Sequence, residues 1–240
     1  MFPISRTEQL TDTLNDPHRL EVLHQLGLLD TPAEHSFDRL TRLATMILGK
    51  PVSLVSLVDS DRQFFKSFVG LDEPWASAQQ TPLSHSFCQH VMASNEPLII
   101  EDARQHPLVK DNMAITDLNV IAYLGMPLTL STGEGLGSFC VIDNKPHHWT
   151  DHEIVVVREL AASVLVEIEL RAELSARRIA ETKLQTAYIG LEERSSTLRR
   201  VTEFCRSIID QMIDATQRGA SKPEMLKYLL TAQRELDKRV

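Results

Sequence analysis

The sequence predicts an α/β fold of the α+β type, in which a mainly antiparallel sheet is covered by helices and runs without a linker into a long C-terminal helix. Three observations predict it. Two pairs of β-rich runs, within 52–70 and 120–143, are each broken by a short turn, which makes hairpins and hence antiparallel pairing. Segments of helical period lie before and between them. Finally, no proline occurs between Pro146 and Pro223, so a helix starting near Thr150 meets no proline that would break it.

Taken in order, Asp16-Pro17 supplies an N-cap and first helical residue, and Leu20, Leu23, Leu26 and Leu28 give the short opening helix an apolar face. Thr31-Pro32-Ala33-Glu34 has the S/T-x-x-E form of a capping box and predicts a helix through Phe37, Leu40, Ala44 and Leu48 to Gly49. VSLVSLVD (52–59) and QFFKSFVG (63–70) form the first hairpin, and Leu71 to Pro82 reads as loop. Ser84-His85-Ser86 opens a short helix that closes near Asn95, PLIIED (97–102) is a strand, and Pro107 to Leu118 reads as helical. VIAYLGMPLTL (120–130) and GLGSFCVID (135–143) form the second hairpin, giving five strands. Thr150-Asp151-His152-Glu153 is a second capping box. From there no stop occurs before Gly219-Ala220, a length of roughly 100 Å at ~1.5 Å per residue. Leu170, Arg177, Leu184, Leu191, Leu198, Cys205 and Met212 fall seven apart, with Ala180, Ala187, Arg194, Val201 and Ile208 between them, an imperfect coiled-coil seam. Ser221-Lys222-Pro223-Glu224 starts a terminal helix. The expected organisation is a tail over 1–15, a globular domain over 16–170, a signalling helix over 171–218 and the last helix over 221–240.

Composition narrows the partners. The chain has 240 residues, 42% apolar, with a net charge of −8. Residues 1–150 carry ten Lys/Arg against eighteen Asp/Glu, and 151–240 carry fifteen of each, so the whole deficit sits in the globule. An acidic globule repels phosphate backbones and anionic lipid, so neither nucleic acid nor a membrane surface is expected as a partner. The N-terminus lacks a basic start and apolar run, and no window approaches a membrane span, which predicts a cytoplasmic protein. Cys88, Cys140 and Cys205 show no CxxC spacing and predict reduced thiols rather than a structural disulfide.

Candidate chemistry centres on His85-Ser86-Phe87-Cys88-Gln89-His90, whose imidazoles and thiol suit zinc or haem iron. On a helix, residues 85 and 88 share a face and His90 does not, so no metal is expected. If the segment carrying Cys88 covers the strand carrying Cys140, the two thiols meet and can sense redox state; each can equally be an inert buried side chain. His152-Glu153 is followed by Ile154-Val155-Val156-Val157 and no Gly-rich nucleotide segment occurs, so autokinase activity is not expected. Nor is there a nucleophile elbow, P-loop or HExxH pattern.

The segments LDTPAEHSFDRLTRLA (29–44), VSLVSLVDSDRQFFKSFVGL (52–71), TPLSHSFCQHV (81–91), PLIIEDARQHPLVKDN (97–112), AYLGMPL (122–128) and LGSFCVIDNKPHHWTDHE (136–153) together resemble a bacterial GAF domain over roughly residues 14–170. The resemblance implies a central antiparallel sheet of five to six strands, a small-molecule pocket on one face, helices on the other and dimerisation through terminal helices. Asp102, Arg104 and Asp117 border such a pocket and either orient a ligand or cap turns. Phe65 and Tyr123 either line it or fill the core. With Cys88, His90 and Cys140 these are the expected ligand-binding residues. Cyclic-nucleotide-binding relatives carry N-K…F-x-x-x-D-E; Asn144-Lys145 is present here, but no phenylalanine stands where the pattern needs it before Asp151. Bilin-binding relatives attach the chromophore through a cysteine followed directly by histidine, and Gln89 separates Cys88 from His90, so no covalent bilin is expected. Free-methionine sulfoxide reductases of this fold need several cysteines, and 106–117 supplies none.

The expected function is therefore a cytoplasmic sensory module. It binds a small ligand, whose identity the residues leave open, or senses redox state. As a homodimer it passes the change through its C-terminal helix to an effector in trans such as a histidine kinase or cyclase. Two alternatives stand beside it: a thiol-dependent, methionine sulfoxide-type reductase using Cys88 and Cys140, and a ligand-free dimerisation adaptor.

Overall fold

The computed structural model describes residues 6–237; the first residues of the expected tail and the last three of the expected terminal helix lie outside them. Within the expected tail, Arg6–Leu14 is a helix, α1, and Pro17–Gln25 follows as α2. Asp16 caps α2 through its carboxylate, which accepts from His18 N, with Pro17 in the first turn as its fixed φ favours. The Arg19 side chain from α2 is buried and donates to the carbonyls of Thr13 at 3.0 Å, Leu14 at 2.7 Å and Val58 at 2.7 Å, tying the chain's start to the sheet.

Helix α3, His35–Leu48, begins three residues later than the Thr31 box predicts, with Glu34 at its N-cap. Other partners have claimed both ends of the box. The Thr31 hydroxyl donates to Leu28 O at 2.7 Å and accepts from Lys66 Nζ at 2.5 Å, while the Glu34 carboxylate pairs with Lys66 and Arg171. Gly49 ends α3 in the left-handed conformation at φ 62°, where a glycine carries no Cβ penalty.

Six antiparallel strands follow. They are β1 Val52–Val58, β2 Arg62–Val69, β3 Gln80–Pro82, β4 Leu98–Ile100, β5 Ala122–Thr129 and β6 Gly135–Asp143, in the order β3-β2-β1-β6-β5-β4. The added strand is β3, a three-residue edge strand preceded by the short helix α4, Trp75–Ala78, inside the region read as loop. The helix predicted from Ser84 is split: Leu83–His85 is a 3-10 turn, Ser86 is extended, and α5 runs Cys88–Ser94. Of the predicted 107–118 helix only α6, Ala114–Asp117, is α-helical.

Strand alternation sends neighbouring residues to opposite faces. On one face Val55, Leu57, Phe64, Leu124, Met126, Phe139 and Val141 pack against α2, α3 and the start of α7, Asp151–Gln217. On the other, Leu54, Val58, Phe65, Tyr123, Cys140 and Ile142 pack under α1, α5 and α6. A bulge interrupts the alternation between β1 and β2. Val55 faces Ser67 and Ser56 faces Phe65, leaving Lys66 as the extra residue. Consecutive Lys66 and Ser67 consequently both reach the α3 side, where Ser67 Oγ lies 2.9 Å from Thr41 Oγ1.

The capping box at Thr150 forms as predicted: Thr150 N and Oγ1 donate to Glu153 at 2.8 and 2.9 Å, and Glu153 N donates back to Thr150 Oγ1 at 3.3 Å. Val157, Ala161, Val164 and Ile168 then lie fully or almost fully buried at spacings of four, three and four, the stripe of a helix packed on one side. The chain divides into two compact units at Leu174/Ser175, and α7 crosses that division. In the second unit Gly219, at φ 74°, ends α7, and a Ser221–Glu224 box opens α8, Lys222–Asp237. Leu184, Leu191 and Leu198, from the predicted seam, are 71, 64 and 68% exposed.

Candidate sensing site

Between the sheet and its cover of short helices lies a small chamber of about 20 Å³. Its floor is Leu54, Gln63, Phe65, Tyr123 and Ile142; its roof includes His85, Phe87, Cys88, Ala114 and Leu118. That is room for one water-sized molecule. Larger hollows of about 800 and 860 Å³ exist, one between the end of α7 and α8, the other beside His90 and Pro97, but both are open at the surface. Buried polar groups and a thiol converge only on the chamber among these hollows, and such convergence marks a candidate functional pocket.

Gln63 organises the polar side. Its Oε1 accepts from Ser56 Oγ at 3.2 Å and Ser86 Oγ at 2.8 Å, and its Nε2 donates to Thr81 Oγ1 at 2.7 Å and His85 O at 3.2 Å. One buried amide thus fastens β2 to β1, to β3 and to the turn that leads into α5. Ser86 also accepts from Gln89 N at 3.1 Å, so its hydroxyl caps the first turn of α5. That cap fixes the rotation of α5 and turns Cys88 inward.

At the mouth, His85 is 3.0 Å from Asp117 through Nε2 and 3.0 Å from Ser84 Oγ through Nδ1, with its ring against Trp75. The His85 contact, followed by the Thr116 hydroxyl, holds the Asp117 carboxyl below its usual range.

Behind the roof Cys88 and Cys140 are both buried in one apolar cluster. Tyr123 Oη donates to Cys88 Sγ at 3.5 Å and lies 3.1 Å from Ser138 Oγ. Gly125 makes this possible. A Cβ there would stand 2.3 Å from Tyr123 Oη and 2.6 Å from two ring carbons, so only a glycine lets the ring lie along its own strand. Hydrogen bonding from Cys140 lowers the Cys88 thiol to about 6 against the opposing effect of burial, helped by Ser138, Tyr123 and Ser56. Burial, and then the neighbouring Cys88, push Cys140 well above the ordinary thiol value. Burial likewise raises Tyr123, which stays a neutral donor.

Of the residues expected to bind a ligand, Phe65, Cys88 and Tyr123 line the chamber, Cys140 backs it and Asp117 stands at its mouth. Three do not belong to it. His90, two residues beyond Cys88, is rotated about 200° around α5 and borders the outer hollow. Asp102 caps the 3-10 turn Ala103–Gln105, and Arg104 closes back on it at 2.8 and 2.6 Å, so the pair satisfies itself. Gln63, Ser56, Ser86 and Ser138 were not anticipated. The signal for them is a glutamine and serines placed inside otherwise apolar strands. Among the described residues no cluster of three or more His, Cys, Asp or Glu able to hold a metal occurs, and no helix is long and apolar enough to cross a membrane.

Comparison with known proteins places the fold in context. A cyclic di-GMP phosphodiesterase of Pseudomonas aeruginosa is 31% identical over 156 residues, 64% of this chain and 26% of that protein, so the chain spans about a quarter of this relative's length. The GAF domain of an Acinetobacter phosphoenolpyruvate-protein phosphotransferase aligns at 16% identity, covering 66% of this chain and 98% of that one, with a TM-score of 0.49. A domain of a putative two-component sensor histidine kinase from Sinorhizobium meliloti 1021 aligns at 21% identity over 59% and 94%, with a TM-score of 0.48. The GAF domain family model matches residues 32–168, more than half the chain and the whole sheet, and the chain therefore belongs to the GAF domain family.

Proposed function

We propose that this GAF protein is a sensory module in which an event in the chamber is passed through the sheet to α7, and from a dimeric α7 to an effector carried by a partner. One observation carries the reading: a single layer separates input from output. Phe65, Tyr123 and Cys140 face the chamber side while their strand neighbours Phe64, Leu124 and Phe139 pack in the cluster that holds Val157, Val164 and Ile168 of α7. Close-packed layers transmit displacement, because they have little free volume to absorb it. A ligand or modification that prefers one chamber shape by ~1–3 kcal/mol is enough to rebias two helix packings of similar energy.

Dimerisation is supported by the seam beyond Leu174. Leu184, Leu191 and Leu198 repeat at seven and are largely exposed in the single chain, and a helix of that length draws most of its stability from packing. The effector we infer is a histidine kinase, a cyclase or an enzyme of cyclic-dinucleotide turnover, the last supported by the Pseudomonas relative. The reductase alternative draws support from two cysteines buried in one cluster, but a chamber of about 20 Å³ is far smaller than an amino acid.

Hydrogen exchange tests the transmission. Ala114→Leu fills the chamber and Phe65→Ala enlarges it, and either is expected to change amide protection over 175–217 several-fold while circular dichroism reports a folded domain. Unchanged protection in both would refute it. Sedimentation of Leu184→Lys/Leu191→Lys is expected to show monomer where the native chain is dimeric.

A further inference from the structure

We infer that two copies of this chain meet along an uncharged stripe of α7 that runs past α8, so that the end of α7 and α8 from each copy form a parallel four-helix bundle. The inference rests on α7 being dimeric, and it names the residues and the direction of the contact. The second unit has no interior of its own. Over 175–234 Ala215 is the only buried residue, and helices draw most of their stability from a packed side. After the Gly219 turn α8 folds back along α7 and takes up the last members of the heptad seam. Ile208 and Met212 are half-buried there, Ile208 in a hollow shared with Tyr228 and Met212 in one shared with Met225. The seam is therefore not free for a second copy to its end. A neighbouring stripe is. At about 100° per residue, Leu184, Leu191, Leu198, Ile209 and Ile213 fall within roughly 60° of one another around α7, and all five are exposed. Ala187, Ser195, Thr202 and Cys205 fill the steps between them, so the stripe runs from Ala180 to Thr216 without a charged residue. Its average step is about 3.6 residues, the period of a straight helix, whereas the seam repeats at seven.

Three features fit this stripe to a second copy. A two-fold contact brings residues near their own counterparts, which charged side chains oppose and uncharged ones allow. Residues 151–240 balance fifteen Lys/Arg against fifteen Asp/Glu, so two copies meet there without net repulsion, whereas the globules carry the whole charge of −8. Finally, the two sides of the α7–α8 pair differ. The hollow on the stripe side is lined by Ile209, Met212, Ile213 and Met225 with two polar neighbours, while the one on the other side includes Arg218, Glu224 and Lys227.

Width sets the direction. Leu229 lies one turn beyond Met225 and Leu226 next to it, and both are exposed. Beside Ile209 and Ile213 the apolar face is therefore two helices wide, and at Leu184 it is one helix wide. Parallel pairing sets wide end against wide end and covers the leucines of α8 together with the isoleucines of α7. Antiparallel pairing would set each wide end against a single helix and leave part of α8 bare.

The test uses the full chain. Sedimentation across micromolar concentrations is expected to show a dimer. Ile209→Lys/Ile213→Lys and, separately, Leu226→Lys/Leu229→Lys are each expected to raise its dissociation constant about tenfold or more, while Lys227→Glu in the other hollow leaves it within about twofold. Cross-linking reads the direction without disturbing the apolar face. In a Cys205→Ser chain, whose remaining cysteines are buried, Leu184→Cys and Ile209→Cys, made one at a time, are each expected to join two copies covalently through a short bis-maleimide. Antiparallel helices have one crossing point, so at most one of the two positions would then join. A dimer indifferent to Leu226→Lys/Leu229→Lys, or cross-links at one position alone, would overturn the bundle and leave a dimeric α7 standing. A native chain that sediments as a monomer, with the exchange response to Ala114→Leu intact, would overturn bundle and dimer together and leave the coupling of chamber to helix within one chain.

Discussion

The two faces of the one sheet are built on opposite principles. Toward α2, α3 and α7 the strands present a mostly apolar surface, broken by Lys66 and Ser67 at the bulge and closed by helices of nine or more residues. Toward α5 and α6 they present the same apolar alternation interrupted by Ser56, Gln63, Ser138 and the Cys140 thiol, roofed by short turns and by helices of seven and four residues. The first face is where burial supplies stability. The second spends interior volume on polar groups whose only economy is that they satisfy one another, and such groups specify one arrangement rather than deepen the well. A module that must be both durable and responsive divides the two demands between the faces.

If that division holds, substitutions on the two faces must differ in kind. Val164→Asp places an unpaired carboxylate in the apolar face and is expected to lose about 4 kcal/mol or more, measured by urea unfolding of the folded chain. A loss below ~1 kcal/mol would show that α7 is not part of the stabilising core. Gln63→Leu acts on the other face. It strips four hydrogen bonds at once and is expected to lose about 1–3 kcal/mol while changing the alkylation rate of Cys88, a readout Val164 does not address. Gly125→Ala drives a methyl into the Tyr123 ring and is expected to lose about 1–3 kcal/mol, with strong non-additivity when combined with Tyr123→Val. Additive effects in that double mutant would mean the ring is free to move aside.

The smallest effect is at the mouth. The folded-state pKa of Asp117 is depressed, chiefly by His85, so the contact contributes stability above the unfolded carboxylate value of about 4 and loses it as pH falls through the lower folded value. Asp117→Asn is therefore expected to be slightly less stable than the native chain at pH 6 and equal to it once both are in acid, by thermal unfolding. A gap that persists in acid would assign the stabilisation to the Thr116 hydroxyl contact instead.

What was legible in the sequence follows the range over which each signal acts. The Asp16–Pro17 cap, the Thr150–Glu153 box and both hairpins are decided within a few residues, and all are found. Thr31–Glu34 has the same letters as Thr150–Glu153 and fails as a cap, because Lys66 and Arg171, distant in sequence, compete for its oxygens. The β3 strand is three residues long and paired only at the sheet edge, too short to print a period of its own. Of the expected ligand-binding residues, Phe65, Cys88 and Tyr123 line the chamber and Asp117 lies next to its His85. His90, Asp102 and Arg104 lie away from the chamber, because which way they point depends on where α5 starts and on the Asp102–Arg104 pairing. In the sequence Gln63 is one polar letter in an apolar strand, and its meaning exists only once three other segments surround it.

The buried guanidinium of Arg19 sets a rule for anyone grafting this sensor onto another output. The family match opens at residue 32, yet Leu23 and Leu28, which fill the helix-covered face, and the arginine that staples the preceding carbonyls all lie before it. A chimera cut at the family boundary would export the strands and leave their clasp behind. The portable unit starts upstream of the acceptor carbonyls at Thr13 and Leu14, and its hinge to any new partner lies at the other end, past Leu174.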